Sequence, residues 1–233
     1  MIPLKDTVRS RTVPLMNYAL IALNVLIFVF EATLGPRLDQ FIMTFGMVPA
    51  RLLVSFDAGQ ILTVLTSMFL HGGWLHVISN MWALFIFGDN IEDRMGHFRY
   101  LFFYLICGVA AAATQVLVDP SSQVAVVGAS GAIAGIMGAY ILLFARSRVV
   151  TLIPIFLLPW LVEVPAIVFI GFWFLTQLLN GVASLTAGAS VGAYGGIAWW
   201  AHVGGFLAGF VLAKVFTRRA DYHQFGRDEY WPW

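Results

Sequence analysis

Charge is what this sequence has least of. Only 11% of its 233 residues are Asp, Glu, Lys or Arg, while 60% are hydrophobic. A soluble domain carries roughly 25% charged residues because its surface faces water, so an ordinary aqueous globule is excluded. Cysteine is nearly absent too: Cys107 stands alone, which rules out an intramolecular disulfide and leaves the redox compartment open. No repeat, low-complexity tract or separate soluble domain interrupts the chain. The formal charge of +1 points to no class of partner, and nothing suggests nucleic acid. Long apolar runs are abundant instead, and mean hydropathy is +0.85. Since a helix needs ~20 apolar residues to cross the hydrocarbon core, the solvent for this chain is lipid.

Six spans are predicted, at 17–34, 74–87, 100–118, 130–144, 161–179 and 197–216. The first follows a polar, basic start and has no small-residue cleavage site closing it, so it reads as a retained span and not a signal peptide. The organisation is therefore a short N-terminal segment (1–16), one all-α membrane domain (17–216) and a C-terminal tail (217–233). With an even number of spans both ends share a side. Lys5, Arg9, Arg11, Arg94, Arg99, Arg146, Arg148, Lys214, Arg218, Arg219 and Arg227 fall on it, against Arg37 and Arg51 opposite. That asymmetry puts both termini in the cytoplasm of a multi-pass cell-membrane protein. His97 and His223 then read as solvated cytoplasmic residues.

The connection between spans one and two, 35–73, is long and too apolar for a plain aqueous loop. Phe41, Ile42, Phe45, Met47, Leu52, Leu53 and Phe56 are interrupted by Pro36, Pro49, Asp57 and Gly59. The pattern suits amphipathic structure lying in the outer interface.

Polar groups recur where lipid-facing helices would carry none. They cluster at His71-Gly-Gly-Trp-Leu-His76-Val-Ile-Ser-Asn80, at Gly128-Ala-Ser130-Gly131, and at Ala201-His202-Val-Gly-Gly205-Phe-Leu-Ala-Gly209. Spans two, four and six all run inward from outside, and each cluster lies near the start of its span, so all three share the outer leaflet. His76 and Asn80 lie on one helical face. Gly131 and Gly135 in span four, and Gly205 and Gly209 in span six, are small-xxx-small pairs that let backbones approach closely. Such packing brings the Ser130 hydroxyl within reach of His202. A serine is a weak nucleophile until a base takes its proton, and neutral histidine suits that task near pH 7. Ser130 also opens a helix, with free backbone N–H groups and the positive dipole end beside it. Those groups, with His76 and Asn80, can hold an oxyanion. No acidic residue has a motif placing it third, so the arrangement reads as a dyad. No metal or cofactor is called for.

Plainer readings stand beside these. A Gly-Ala-Ser-Gly string in a membrane helix is commonly just packing, His71 reads as structural, and Asn80 and Asn24 can simply bridge helices. Trp74, Trp82, Trp199 and Trp200 suit interface anchoring or packing, and Glu92 and Arg94 suit bonding to loop backbone. At the level of function, the alternatives to an enzyme are a helix-binding scaffold and a transporter or proton relay. A transporter favours midplane sites and internal repeats, and neither is evident.

The combination of HxxxN (His76, Asn80), GxSG (Gly128 to Gly131) and AHxxGxxxG (Ala201 to Gly209), in that order on spans two, four and six, resembles the rhomboid family of intramembrane serine proteases. The likeness runs from span one to span six, and the family's cytoplasmic ExR pair appears as Glu92-Asp-Arg94. The resemblance implies a six-transmembrane-helix bundle with a long membrane-associated first loop and an aqueous cavity open to the outer side. It implies a Ser130–His202 dyad and an oxyanion site from His76, Asn80 and the Ser130 backbone. It also implies membrane-protein substrates with unstable transmembrane helices. One departure is visible: where many members carry Trp-Arg in the first loop, this chain has Leu62-Thr63.

Overall fold

In the computed structural model, residues 1–155, 158–186 and 197–218 are described. Arg219, His223 and Arg227, and with them nearly all of the 217–233 tail, lie outside those residues. The fold is mostly helical, a bundle of apolar helices. Its long helices are α1 (Leu15–Thr33), α5 (Trp74–Met95), α6 (His97–Val118), α8 (Ala166–Thr186) and α9 (Trp199–Phe216), with the shorter apolar α7 (Ser130–Leu143) among them. Four of these are long and apolar enough to cross a membrane unaided, and a fifth candidate is α5 joined to the bent helix before it. Leu23, Leu26 and Phe30 on α1 and Phe172, Leu175 and Leu179 on α8 are exposed. In lipid such side chains face an apolar solvent, so their exposure carries no hydrophobic cost.

The first loop is built from α2 (Leu38–Phe45), α3 (Pro49–Val54) and α4 (Ala58–Thr66). The helical stretch Ala58–Phe69 meets α5 at 79°, the geometry of a broken span or a re-entrant loop. Backbone bonds pin this loop to the segment preceding α7. Met47 pairs with Val126, Ala50 N–H donates to the Ser122 carbonyl (3.1 Å), and Gly128 N–H donates to that of Ser67 (2.9 Å). The Thr66 hydroxyl adds a 2.6 Å bond to the Phe45 carbonyl. The Arg51 guanidinium donates to the Met43 carbonyl (2.8 Å), so main chain, Thr66 and Arg51 anchor a loop without the Trp-Arg pair.

Two predicted spans need new boundaries. Span two was expected to end at residue 87, where Asp89, Glu92, Asp93 and Arg94 dilute its hydropathy, yet α5 continues to Met95. Glu92 and Arg94 therefore sit inside the helix. The buried Glu92 carboxylate accepts the Met16 and Asn17 N–H groups (2.9 and 2.7 Å), satisfying orphan donors at the start of α1. It also pairs with His97, which is therefore a bonded residue and not merely a solvated one. Span five was expected to begin at 161, but α8 begins at Ala166. The residues before it form β3 (Leu158–Pro165), paired antiparallel with β2 (Arg148–Ile155), which in turn pairs with β1 (Ile2–Asp6). This small sheet was not expected.

Asn24, expected to bridge helices, returns its amide N–H to the Leu20 carbonyl of its own helix and also meets the Tyr104 hydroxyl of α6. Asn17 bridges too, donating to the Leu84 carbonyl and accepting from the Tyr100 hydroxyl.

These bonds define the two ends of the bundle. Thr12 meets Asp93, Tyr140 donates to Asp6, and Arg218 N–H reaches the Arg94 carbonyl. The sheet, the start of α1 and the ends of α5, α7 and α9 therefore share one end. The starts of α5, α7 and α9 share the other, and α9 packs there against both α6 and α7.

Candidate active site

The small residues set the helix spacing. A Cβ on Gly205 would lie 2.0 Å from the Gly131 carbonyl oxygen, and one on Gly209 would lie 1.9 Å from that of Gly135. Side chains at these positions are sterically impossible without moving a helix. Helices α7 and α9 therefore touch backbone to backbone, as small-xxx-small pairs allow. Cys107 of α6 fills the space beside Gly135.

That approach brings Ser130 and His202 together. Ser130 is the first residue of α7, and His202 lies in the first turn of α9. The hydroxyl oxygen stands 2.7 Å from His202 Nε2, a hydrogen bond linking residues 72 positions apart. His202 is buried, with the rings of Trp173 and Trp199 at 5.8 and 6.4 Å. This is the spatial relation of a nucleophile and its base.

His76, on the first turn of α5, closes the other flank. A Cβ placed on Gly128 would lie 2.8 Å from His76 Nε2 and 3.4 Å from Ser130 Oγ, so both groups border that glycine. Its φ of +127° also belongs to the region glycine alone enters readily. The Gly72 N–H donates to His76 Nδ1 at 3.3 Å, which assigns the proton of a neutral ring to Nε2, the nitrogen facing Gly128. Asn80, one turn further along α5, is buried, and its amide nitrogen has no hydrogen-bond partner among the described residues. His71 is buried as well, with its ring 5.1 Å from that of His76.

Two residues were missed by sequence reasoning. Gln177 of α8 is buried, and its Oε1 stands 2.7 Å from His202 Nδ1. An amide inside an apolar run is a signal in itself, because polar groups in a span are costly, but the search had been for an acid. Glu31, buried near the end of α1, accepts the His71 N–H at 3.2 Å and ties α1 to the start of α5. Among the described residues no group of three or more His, Cys, Asp or Glu side chains is assembled to hold a metal ion.

The Rhomboid domain family model matches residues 58–219, which include every one of these residues except Glu31. The chain belongs to the rhomboid family. Rhomboid-like protein 11, chloroplastic, of Arabidopsis thaliana is 31% identical over 201 residues, covering 84% of this chain and 66% of that protein. RHOMBOID-like protein 5 of the same plant is 29% identical over 189 residues, covering 81% and 53%. Rhomboid-like protease 5 of Toxoplasma gondii is 31% identical over 90 residues, covering 36% of this chain and 10% of that protein. This rhomboid chain thus spans about half to two thirds of the length of the two plant relatives.

Proposed function

We propose that the chain is an intramembrane serine endopeptidase that hydrolyses peptide bonds in or near transmembrane segments of other membrane proteins. The observation that carries this reading is the 2.7 Å bond between Ser130 Oγ and His202 Nε2 inside a lipid-embedded bundle. In the forward step Ser130 Oγ attacks the scissile carbonyl carbon as its proton passes to His202 Nε2. The imidazolium then protonates the leaving amine, and water hydrolyses the acyl-enzyme by the same route. The developing oxyanion takes hydrogen bonds from the Ser130 backbone N–H, His76 Nε2–H and the Asn80 amide. The unpartnered Asn80 nitrogen supports this role, because a buried donor left unpaired at rest costs ~1–3 kcal/mol and is available when charge develops.

The substrates are membrane proteins whose helices unwind cheaply near the outer face, through Gly, Pro or polar residues, with a small residue at the cut. Both termini lie in the cytoplasm of the cell membrane, and the site opens outward. The basic residues support this, since Lys5, Arg94, Arg148 and Arg218 gather at the bundle end opposite Ser130. A helix-binding scaffold built on the same bundle would be indifferent to the Ser130 hydroxyl. Labelling with a serine-reactive fluorophosphonate separates the two readings. Wild type labels and Ser130→Ala does not; absence of labelling in folded wild type defeats the enzyme reading.

A further inference from the structure

We propose that Gln177 is a positioning residue for His202, an amide that takes the place of the acid in a triad. The inference rests on the reading of Ser130 and His202 as a catalytic pair. Its support is a chain of hydrogen bonds whose direction is fixed at one end. Gln177 Nε2 lies 3.3 Å from the Trp173 carbonyl oxygen and 3.2 Å from Thr176 Oγ1, while the Thr176 hydroxyl donates to that same carbonyl at 2.6 Å. A carbonyl can only accept, and a hydroxyl whose proton is committed can only accept, so the amide NH₂ must face them. Oε1 is thereby turned to His202 Nδ1, 2.7 Å away. Because Oε1 also only accepts, Nδ1 carries the ring proton, and Nε2 is left bare to receive the proton of Ser130.

The orientation of the amide matters more than its presence. In soluble Ser-His-Asp proteases, exchanging the aspartate for asparagine keeps the geometry yet lowers kcat ~10⁴-fold, because the imidazole is held in the wrong tautomer. Here Trp173 and Thr176, on the same helix as Gln177, hold the amide the productive way round. An amide also suits the surroundings. A carboxylate buried beside lipid carries a desolvation penalty of several kcal/mol, whereas a neutral amide sets the tautomer without introducing a charge. Helix α8 thus supplies the third member of the constellation, across from the α7–α9 contact that supplies the first two.

The experiment compares wild type, Gln177→Leu and Gln177→Glu in proteoliposomes, measuring kcat and KM on a transmembrane reporter together with thermal stability. The histidine tautomer is read by ¹⁵N NMR on protein labelled at histidine, with the His202 signal identified by its loss in His202→Ala. Wild type shows the Nδ1–H form. Gln177→Leu lowers kcat by ~10²-fold with KM within about twofold, and the Nδ1–H form gives way to a mixture. Gln177→Glu keeps an acceptor oxygen toward Nδ1 and recovers at least about tenfold over Gln177→Leu. An Nε2–H form in wild type, or a Gln177→Leu protein with wild-type kcat and tautomer, overturns the proposal. Failure of the underlying reading looks different: wild type itself then shows no turnover that depends on Ser130.

Discussion

Replacing Gly209 by valine inserts a branched side chain where two helix backbones touch. A Cβ at this position would lie 1.9 Å from the Gly135 carbonyl oxygen and 2.5 Å from both the Gly135 carbonyl carbon and Cα. All three are main-chain atoms, so no flexible side chain can yield. Reaching ordinary contact requires α9 and α7 to separate by about 1.5 Å. Gly209 lies two turns beyond His202 on the same helix, ~10 Å along its axis, and a rigid helix carries the displacement to the imidazole. The 2.7 Å bond to Ser130 then opens past useful hydrogen-bond length. Misplacement of ~1 Å in a catalytic group costs ~10²-fold in rate, so kcat in Gly209→Val should fall by that factor or more. The assay is cleavage of a transmembrane reporter in proteoliposomes, with thermal unfolding measured on the same preparation to separate misplacement from unfolding. Full activity in a stable Gly209→Val protein would refute the step from small-residue spacing to catalytic geometry.

Three further outcomes are expected. Asn80→Ala should lower kcat by the ~2.7–4 kcal/mol typical of a lost oxyanion donor while sparing KM; an effect on KM alone would make Asn80 a helix bridge. Glu92→Ala removes the acceptor of two α1 N–H groups and should cost about 1.5–3 kcal/mol or more of stability, seen as a lower unfolding temperature with the chemistry intact in the folded fraction. Burial pushes the Asp6 carboxyl up to about 7, with the nearby Asp89 charge adding to the rise and the Tyr140 hydroxyl opposing it. The folded state therefore binds this proton more tightly than the unfolded chain, and stability should fall as pH rises from ~4 through 7. Unfolding temperatures across that window should show the slope, and Asp6→Asn should flatten it; an unchanged slope would remove Asp6 as its source.

Much of this arrangement was legible because lipid makes polar residues conspicuous. Ser130, His202, His76 and Asn80 stood out in apolar surroundings, and glycine spacing alone located the α7–α9 contact. The sheet was hidden for the same reason. Residues 148–165 are as apolar as a span, so hydropathy merged β3 with α8, and nothing local revealed that β2 would find its other partner in Ile2–Asp6. The end of α5 was lost in the opposite way. Its last turns are charged, but Glu92 and Arg94 are buried because the α1 terminus and the Phe144 ring take them up, and these are tertiary contacts. Gln177 was within reach of sequence reasoning, and the expectation that a third member must be acidic concealed it.

The most direct test is turnover of a single-span reporter, carrying a Gly- and Pro-containing helix with a small residue near its outer end, by purified wild type and Ser130→Ala in the same liposomes. Wild type should cut the reporter near that residue. Ser130→Ala, with an unchanged unfolding temperature, should leave it intact. Cleavage by Ser130→Ala at a rate close to wild type would contradict the serine mechanism at its centre.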